Sequence, residues 1–307
     1  MITAVMAILT SCGNADRAPG DTAHPDRSGP AVLKLHPENP RYFEYDGEPV
    51  VLITSAEHYG ALLNLDFDFR EYLKTLREEG FNYTRIFTGT YIEPVENVFG
   101  IEKNTLAPLP GRYLSPWISV EGKYDLEQFN PAYFDRLGQF MTEAEEQGIM
   151  VEVTLFSSIY AESAWELSPM NPRNNIQSAG PEDYRKVHTL FSGTLLPFQE
   201  RFIRKMVRSL NGFGNLFFEI QNEPWADHPN LAAWVNQDDT LVFRRSWQKQ
   251  VVLANHASME WQRWVAGVIR EEESSLTNRH VIAQNICNFG HRVDPVPEAI
   301  SVLNLHY

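Results

Sequence analysis

From Ala31 onward, apolar and polar positions fall into short runs that alternate between two periods. Val50–Ser55, Tyr83–Phe87, Ile149–Phe156, Asn215–Gln221, His280–Ile286 and Ile300–Leu305 are compact runs of strand length, rich in apolar and β-branched residues. Between them, Phe67–Gly80, Pro131–Gly148, Leu195–Leu210 and Ser258–Leu276 place apolar residues three and four apart, the spacing of an amphipathic helix. Gly80 and Gly148 supply stops for the first two helices. Strands alternating with helices of this length predict βαβ units and a parallel sheet. Ahead of them, Val32, Leu33 and Leu35 and then Arg41–Tyr45 flank turn signals at Pro37–Pro40 and Asp46-Gly47. That pattern predicts a small hairpin closing one end of the fold.

Long segments follow several of the predicted strands: Thr88–Asn130, Ser157–Gly193 and Trp225–Ala257. A (β/α)8 barrel carries its active-site loops in those positions, after each strand. A doubly wound open sheet would call for a glycine-rich phosphate loop after the first strand, and none is present there. The pattern therefore favours an α/β fold of the TIM-barrel kind over residues 31–307, with six of its eight strands in the chain.

The first thirty residues read differently. Met1–Cys12 is a short apolar run ending in Leu9-Thr10-Ser11-Cys12, which resembles the bacterial lipobox of a lipoprotein signal peptide. The charged residues that usually precede such a run are absent, which implies a start placed too far downstream. Gly13–Pro30 is rich in Gly, Pro, Asp, Ala and Ser and poor in large apolar residues, so it reads as a flexible tether. Anchor and tether together imply a secreted protein of the bacterial cell envelope, held to the membrane through lipid on Cys12 alone.

Composition narrows the ligand class. A net charge of -14 argues against nucleic acid, whose phosphates an acidic surface repels. Seven Trp, twelve Tyr and eighteen Phe suit neutral, stacking ligands such as sugars. The cysteines number two, Cys12 and Cys287, too few for a disulfide framework. Neither a His-x-His nor a His-Glu-x-x-His spacing occurs among the nine His, so no metal or other cofactor is implied, and a metal-dependent hydrolase is disfavoured.

The sharpest chemical signal is Asn215–Trp225, an apolar strand that ends in Asn222-Glu223-Pro224-Trp225. Here the chain resembles clan A of the glycoside hydrolases, and its cellulase-like family 5 in particular, in which Asn-Glu-Pro closes the fourth barrel strand. The run is the fourth in this chain as well. The resemblance implies a retaining hydrolase of β-linked oligo- or polysaccharides, with Glu223 as acid/base and Asn222 as the contact to the sugar 2-hydroxyl. Such chemistry needs one carboxylic acid to protonate the leaving oxygen and a second carboxylate to attack the anomeric carbon. Arg85 matches the clan's arginine beneath the nucleophile, where a nearby positive charge keeps a carboxylate ionised; a barrel-interior ion pair with Glu219 is its other reading. His306 and Tyr307 match a His-Tyr segment that lines the sugar site. His58, Tyr59, Tyr91 and Trp225 are substrate-binding candidates, with Trp117, Trp165 and Trp234 as further aromatics on loops and Glu57, beside His58, as a lesser candidate. In the clan the nucleophile ends strand seven, and the last Glu here is Glu298, before the sixth strand. The resemblance therefore implies a nucleophile beyond the chain end and an incomplete barrel. The alternative is a non-catalytic carbohydrate-binding lipoprotein derived from such an enzyme.

Expressed from a start that restores basic residues ahead of Met1, the protein is expected to incorporate a fatty-acid probe and to lose that label in Cys12→Ser. Labelling that survives the substitution would refute the lipobox reading.

Overall fold

The computed structural model describes residues 31–54, 57–95, 105–234, 250–288 and 295–306. Expectations that fall on Cys12, the tether and Tyr307 lie outside them, as does the side chain of Trp234.

A small antiparallel sheet opens the described chain, formed by β1 (Lys34–Leu35), β2 (Phe43–Tyr45) and β3 (Glu48–Val50) in that order. Asp46 (φ 59°) and Gly47 (φ 82°) join β2 to β3, both in the left-handed region that a tight two-residue hairpin requires. The predicted hairpin is thus present, with a third strand. Its inner residues, Leu33 and Phe43, pack on Met150, Phe217, Val281 and Ala283, with the rings of Phe43 and Phe217 stacked at 5.8 Å. The sheet seats itself through Leu33, whose N–H donates to Gly214 O at 2.8 Å. Gly214 is needed there, because a Cβ would lie 1.6 Å from Ala31 O.

The main sheet comes next: β4 (Glu57–His58), β5 (Tyr83–Phe87), β8 (Met150–Ser157), β9 (Leu216–Asn222), β12 (Ile282–Cys287) and β13 (Val302–Leu305). These run parallel and lie side by side in chain order. Among the described residues the sheet does not close, since β4 pairs with β5 and β13 with β12 but not with each other. The fold is α/β, and the strand positions match expectation at five of six places. The first differs. Val51–Thr54 is extended but outside the ladder, with Val51 and Ile53 more than half exposed. Asn82 takes its backbone instead: Asn82 Oδ1 accepts from Ile53 N at 2.8 Å and Asn82 Nδ2 donates to Val51 O at 2.9 Å. Parallel pairing begins only where Glu57 lies opposite Arg85.

Helices α1 (Phe69–Glu78), α2 (Pro131–Glu146), α4 (Leu196–Leu210) and α5 (His256–Glu273) form one layer over the sheet, and α3 (Glu162–Leu167) lies in the loop after β8. Their starts are written locally. Asp68 Oδ1 accepts from Arg70 N and Glu71 N, Asn130 precedes Pro131 and accepts from Ala132 N, and Asn255 accepts from Ser258 N. Leu73, Tyr133, Phe140, Phe202, Ile203, Trp261 and Val265 bury their side chains against the strands. Two antiparallel hairpins escaped the sequence pattern: β6 (Trp117–Val120) with β7 (Lys123–Phe129), and β10 (Pro229–Trp234) with β11 (Gln250–Ala254). The second extends the main sheet through Leu253 opposite Cys287.

One buried polar lock ties α5 to the sheet. His280 Nδ1 sits 2.7 Å from Glu273 Oε1, and His280 Nε2 sits 2.8 Å from Phe213 O. Arg270 Nη1 donates to the same carboxylate at 3.3 Å. His280→Ala should destabilise the protein by roughly 3 kcal/mol in urea unfolding, since it strands a buried carboxylate with one partner fewer. A loss below about 1 kcal/mol would show that the pair contributes little.

Candidate functional site

Alternate residues of a strand face one side of a sheet, and here that side is polar. The registers set Glu57 beside Arg85, Arg85 beside Glu152, and Thr154 and Ala283 beside Glu219. Arg85 is the hub. Its Nη1 donates to Glu57 Oε2 at 2.7 Å, its Nε to Glu219 Oε2 at 3.0 Å, and its Nη2 to Glu219 and, at 2.7 Å, to Asn222 Oδ1. Glu152 Oε1 lies 3.9 Å from Nε. Burial opposes the guanidinium charge, and the Glu219, Glu152 and Glu57 carboxylates more than offset it, so its pKa lies well above the usual value. Thr154 Oγ1 donates to Glu219 at 2.7 Å, Asn304 Nδ2 donates to Glu152 and, at 3.0 Å, to Glu219, and the Tyr83 hydroxyl donates to Glu152. One cation faces three carboxylates. Burial first, and then the charge of Glu219, push Glu152 upward from the ordinary 4.5.

Directly above, at the C-terminal end of β9, the chain turns sharply. Glu223 has φ 47°, a left-handed conformation that costs a non-glycine residue about 1 kcal/mol or more. Its backbone is held on both sides. Its N–H donates to Asn285 Oδ1 at 2.9 Å, and its carbonyl accepts from Ser158 Oγ at 2.7 Å and Ala226 N at 2.8 Å. Ser158 Oγ also lies 3.1 Å from Asp227 Oδ1, and Asp227 Oδ2 lies 3.3 Å from His188 Nδ1, so a wholly buried polar cluster braces the turn. The turn aims the carboxylate between two elements: Glu223 Oε2 accepts from the Tyr160 hydroxyl at 2.9 Å, and Glu223 Oε1 is 3.1 Å from His306 Nδ1. Both side chains keep an opening to solvent, 16% for Glu223 and 21% for His306. A ligand can reach them.

The structure thus brings Glu223, Asn222, Arg85, His306, Tyr59 and Trp225 together. Trp225 sets its ring edge-on to His306 at 5.6 Å. Tyr59 stacks on Phe87 at 3.8 Å and accepts from Asn222 Nδ2 at 3.0 Å. The Arg85–Glu219 pair and the Arg85–Asn222 bond hold at once, so both readings of Arg85 apply. Asn222 is closely held. It is 1% exposed, and its amide is committed to Arg85, Tyr59 and Tyr160, so a sugar hydroxyl reaches it only where a tyrosine hydroxyl yields. Tyr91 is also buried, its hydroxyl bonded to Glu93 at 2.8 Å and its ring edge-on to Tyr59 and Tyr160, so it backs the site without facing it.

His58 is not brought to this cluster. Its ring stacks on Phe67 at 3.8 Å and bonds Thr105 Oγ1 at 3.2 Å on the helix side of the sheet, and burial pushes its pKa down to about 4. Neighbours in a strand point to opposite faces, and Tyr59 takes the site face. Trp117 and Trp165 are core residues as well. Tyr160, Asn285, Asn304 and Ser158 went unrecognised. Tyr160 carried a usable signal, an aromatic three residues past the end of a parallel strand; the others carried none.

No family model matches this chain, and no curated protein matches it. Among solved structures it resembles an endo-1,4-β-mannanase of Rhizomucor miehei at 13% identity and TM-score 0.48, covering 90% of this chain and 64% of that one. It resembles a β-1,4-D-mannanase of Cryptopygus antarcticus at 14% and 0.45, covering 84% and 61%. A glycoside hydrolase family 5 protein of Bacteroides vulgatus gives 12% and 0.42, covering 83% and 39%. The chain spans under two thirds of each of these proteins.

The acid cluster generates a pH test. A carboxyl whose folded pKa is raised keeps its proton where the unfolded chain has released it, so stability is fullest below about 4.5 and declines as pH rises through the folded value. Glu152→Gln removes that decline. Urea midpoints of the protein should fall relative to Glu152→Gln as pH rises above the ordinary carboxylate range; parallel profiles would contradict the raised value.

Proposed function

We propose that the protein is a retaining glycoside hydrolase of β-linked oligo- or polysaccharides, built on a (β/α)8 framework of which the described residues supply six consecutive strands. The observation that carries this reading is the pose of Glu223. A carboxylate at the end of the fourth parallel strand is locked by a strained turn, hydrogen-bonded by Tyr160 and His306, and still open to solvent. Glycosidic oxygen is a poor leaving group, and an acid fixed at the rim of a mouth can protonate it as the bond breaks. Arg85, through the Asn222 amide, ties the rim to the buried carboxylates beneath. Double displacement also needs a second carboxylate about 5–5.5 Å away, which we place on a strand later than those described. We further place the protein on the cell envelope through lipid at Cys12, a reading that rests on Leu9–Cys12.

Glu223→Gln is the test, read with two classes of β-glycoside in a protein that carries the second carboxylate. Turnover of substrates with poor leaving groups should fall by roughly 100- to 10,000-fold, the usual worth of general acid catalysis. Activated aryl glycosides hardly need the proton and should lose far less, with azide restoring turnover by attacking the glycosyl-enzyme. Equal losses on both classes would remove Glu223 from the acid's role, and sugar binding without turnover by the unmutated protein would favour the non-catalytic reading. Should Glu223 prove to be the acid without a later carboxylate, Glu57 and Glu93 become the first candidates for the second one.

A further inference from the structure

Tyr160 lies where three requirements meet. Arg85 Nη2 can only donate, so the Asn222 atom facing it at 2.7 Å is the carbonyl oxygen, which fixes the orientation of the amide. Asn222 Nδ2 then donates to Tyr160 Oη at 2.6 Å. With its oxygen accepting there, Tyr160 turns its proton to Glu223 Oε2, 2.9 Å away, with the Tyr59 and Ser157 hydroxyls also within hydrogen-bonding reach. The bonds run in one direction: guanidinium to amide, amide to phenol, phenol to carboxylate. Successive donors in a buried chain polarise one another.

From this geometry we infer that Tyr160 is the positioning residue that sets the proton affinity of Glu223, relaying the charge of Arg85 through Asn222 into the acid/base. The inference rests on Glu223 being that acid/base. A donor to the ionised carboxylate favours the charged form and so lowers its pKa. Burial, followed by the charges of Tyr59 and Glu223, holds the Tyr160 phenol well above its ordinary value, so it remains a donor throughout the working range. Further titratable groups lie around Glu223: His306 at its other carboxylate oxygen, Tyr59 and Tyr91 within its electrostatic reach, Glu57 and Arg85 behind Tyr59, and Asp227 below the same turn. His306 bonds the opposite carboxylate oxygen, so it is unchanged by removal of the phenol hydroxyl. The relay divides the labour. His306 holds one oxygen toward the mouth, and Tyr160 governs how tightly the other keeps a proton.

The test reads Glu223 directly. The full chain is labelled with carboxyl-13C glutamate, and the Glu223 resonance is assigned by its loss in Glu223→Gln. Tyr160→Phe keeps the ring and removes the donor, and should raise the Glu223 midpoint by about one pH unit, the worth of a hydrogen bond to a charged group. A fluorinated tyrosine at position 160 is a more acidic, stronger donor and should move the midpoint the opposite way. A merely structural tyrosine would give no such opposed pair. An unchanged midpoint in a folded Tyr160→Phe, or the same direction of shift in both variants, overturns the proposal. If Tyr160→Phe fails to fold, the nearly isosteric fluorotyrosine decides alone: a lowered midpoint supports the relay and an unmoved one ends it. The two readings fail separately. An intact midpoint shift with no leaving-group dependence in Glu223→Gln would remove the enzymatic role and leave the tuning in place.

Discussion

A single buried guanidinium organises the molecule's polar side. Arg85 comes from the second parallel strand and reaches carboxylates on the first, third and fourth, Glu57, Glu152 and Glu219. A charge in such a place is tolerated only because opposite charges and hydrogen bonds surround it. The strands are therefore held in register by more than their ladder hydrogen bonds: a slip of one residue would turn Arg85 to the apolar face and leave its partners stranded. The same cation reaches upward to Asn222, so the charge balance of the interior and the set of the rim belong to one network.

That coupling explains why the turn at Glu223 can bear its strain. A left-handed glutamate persists only where its surroundings over-determine it. Here Asn285 fixes the N–H, Ser158 and Ala226 fix the carbonyl, and Asp227 with His188 fix Ser158. The carboxylate is then left to be aimed by Tyr160 and His306, which arrive from different strands. Rigid backbone below and adaptable side chains above are what a group needs if it must donate a proton at one moment and accept one at the next.

The repeating architecture was legible because its elements are local. β8 and β9 are compact runs rich in apolar residues, and helices α1 and α2 carry their own caps at Asp68 and Asn130. The motif at Glu223 was legible for the same reason, as one contiguous string. What escaped was decided at a distance. Val50–Ser55 has strand composition, yet the ladder begins at Glu57 because Asn82 claims the preceding backbone and Arg85 the following side chain. β7 reads as polar loop, Lys-Tyr-Asp-Leu-Glu-Gln-Phe, and becomes a strand only against β6. His58 and Tyr59 are equally polar and adjacent, and a strand's alternation sends one to the helices and the other to the rim. Tyr160 acquires its role from residues 62 and 63 positions later, a relation no window along the chain contains.

The seating of Leu33 on Gly214 has a practical bearing on the molecule's two ends. Gly214 stands just before β9 and Glu223 just after it, so Leu33 lies roughly 25–30 Å from the carboxylate, at the opposite edge of the strands. The three-stranded cap β1–β3 covers that edge. An attachment made on the cap therefore leaves the rim, at the other end of the strands, facing bulk solution, where a large ligand can still reach it.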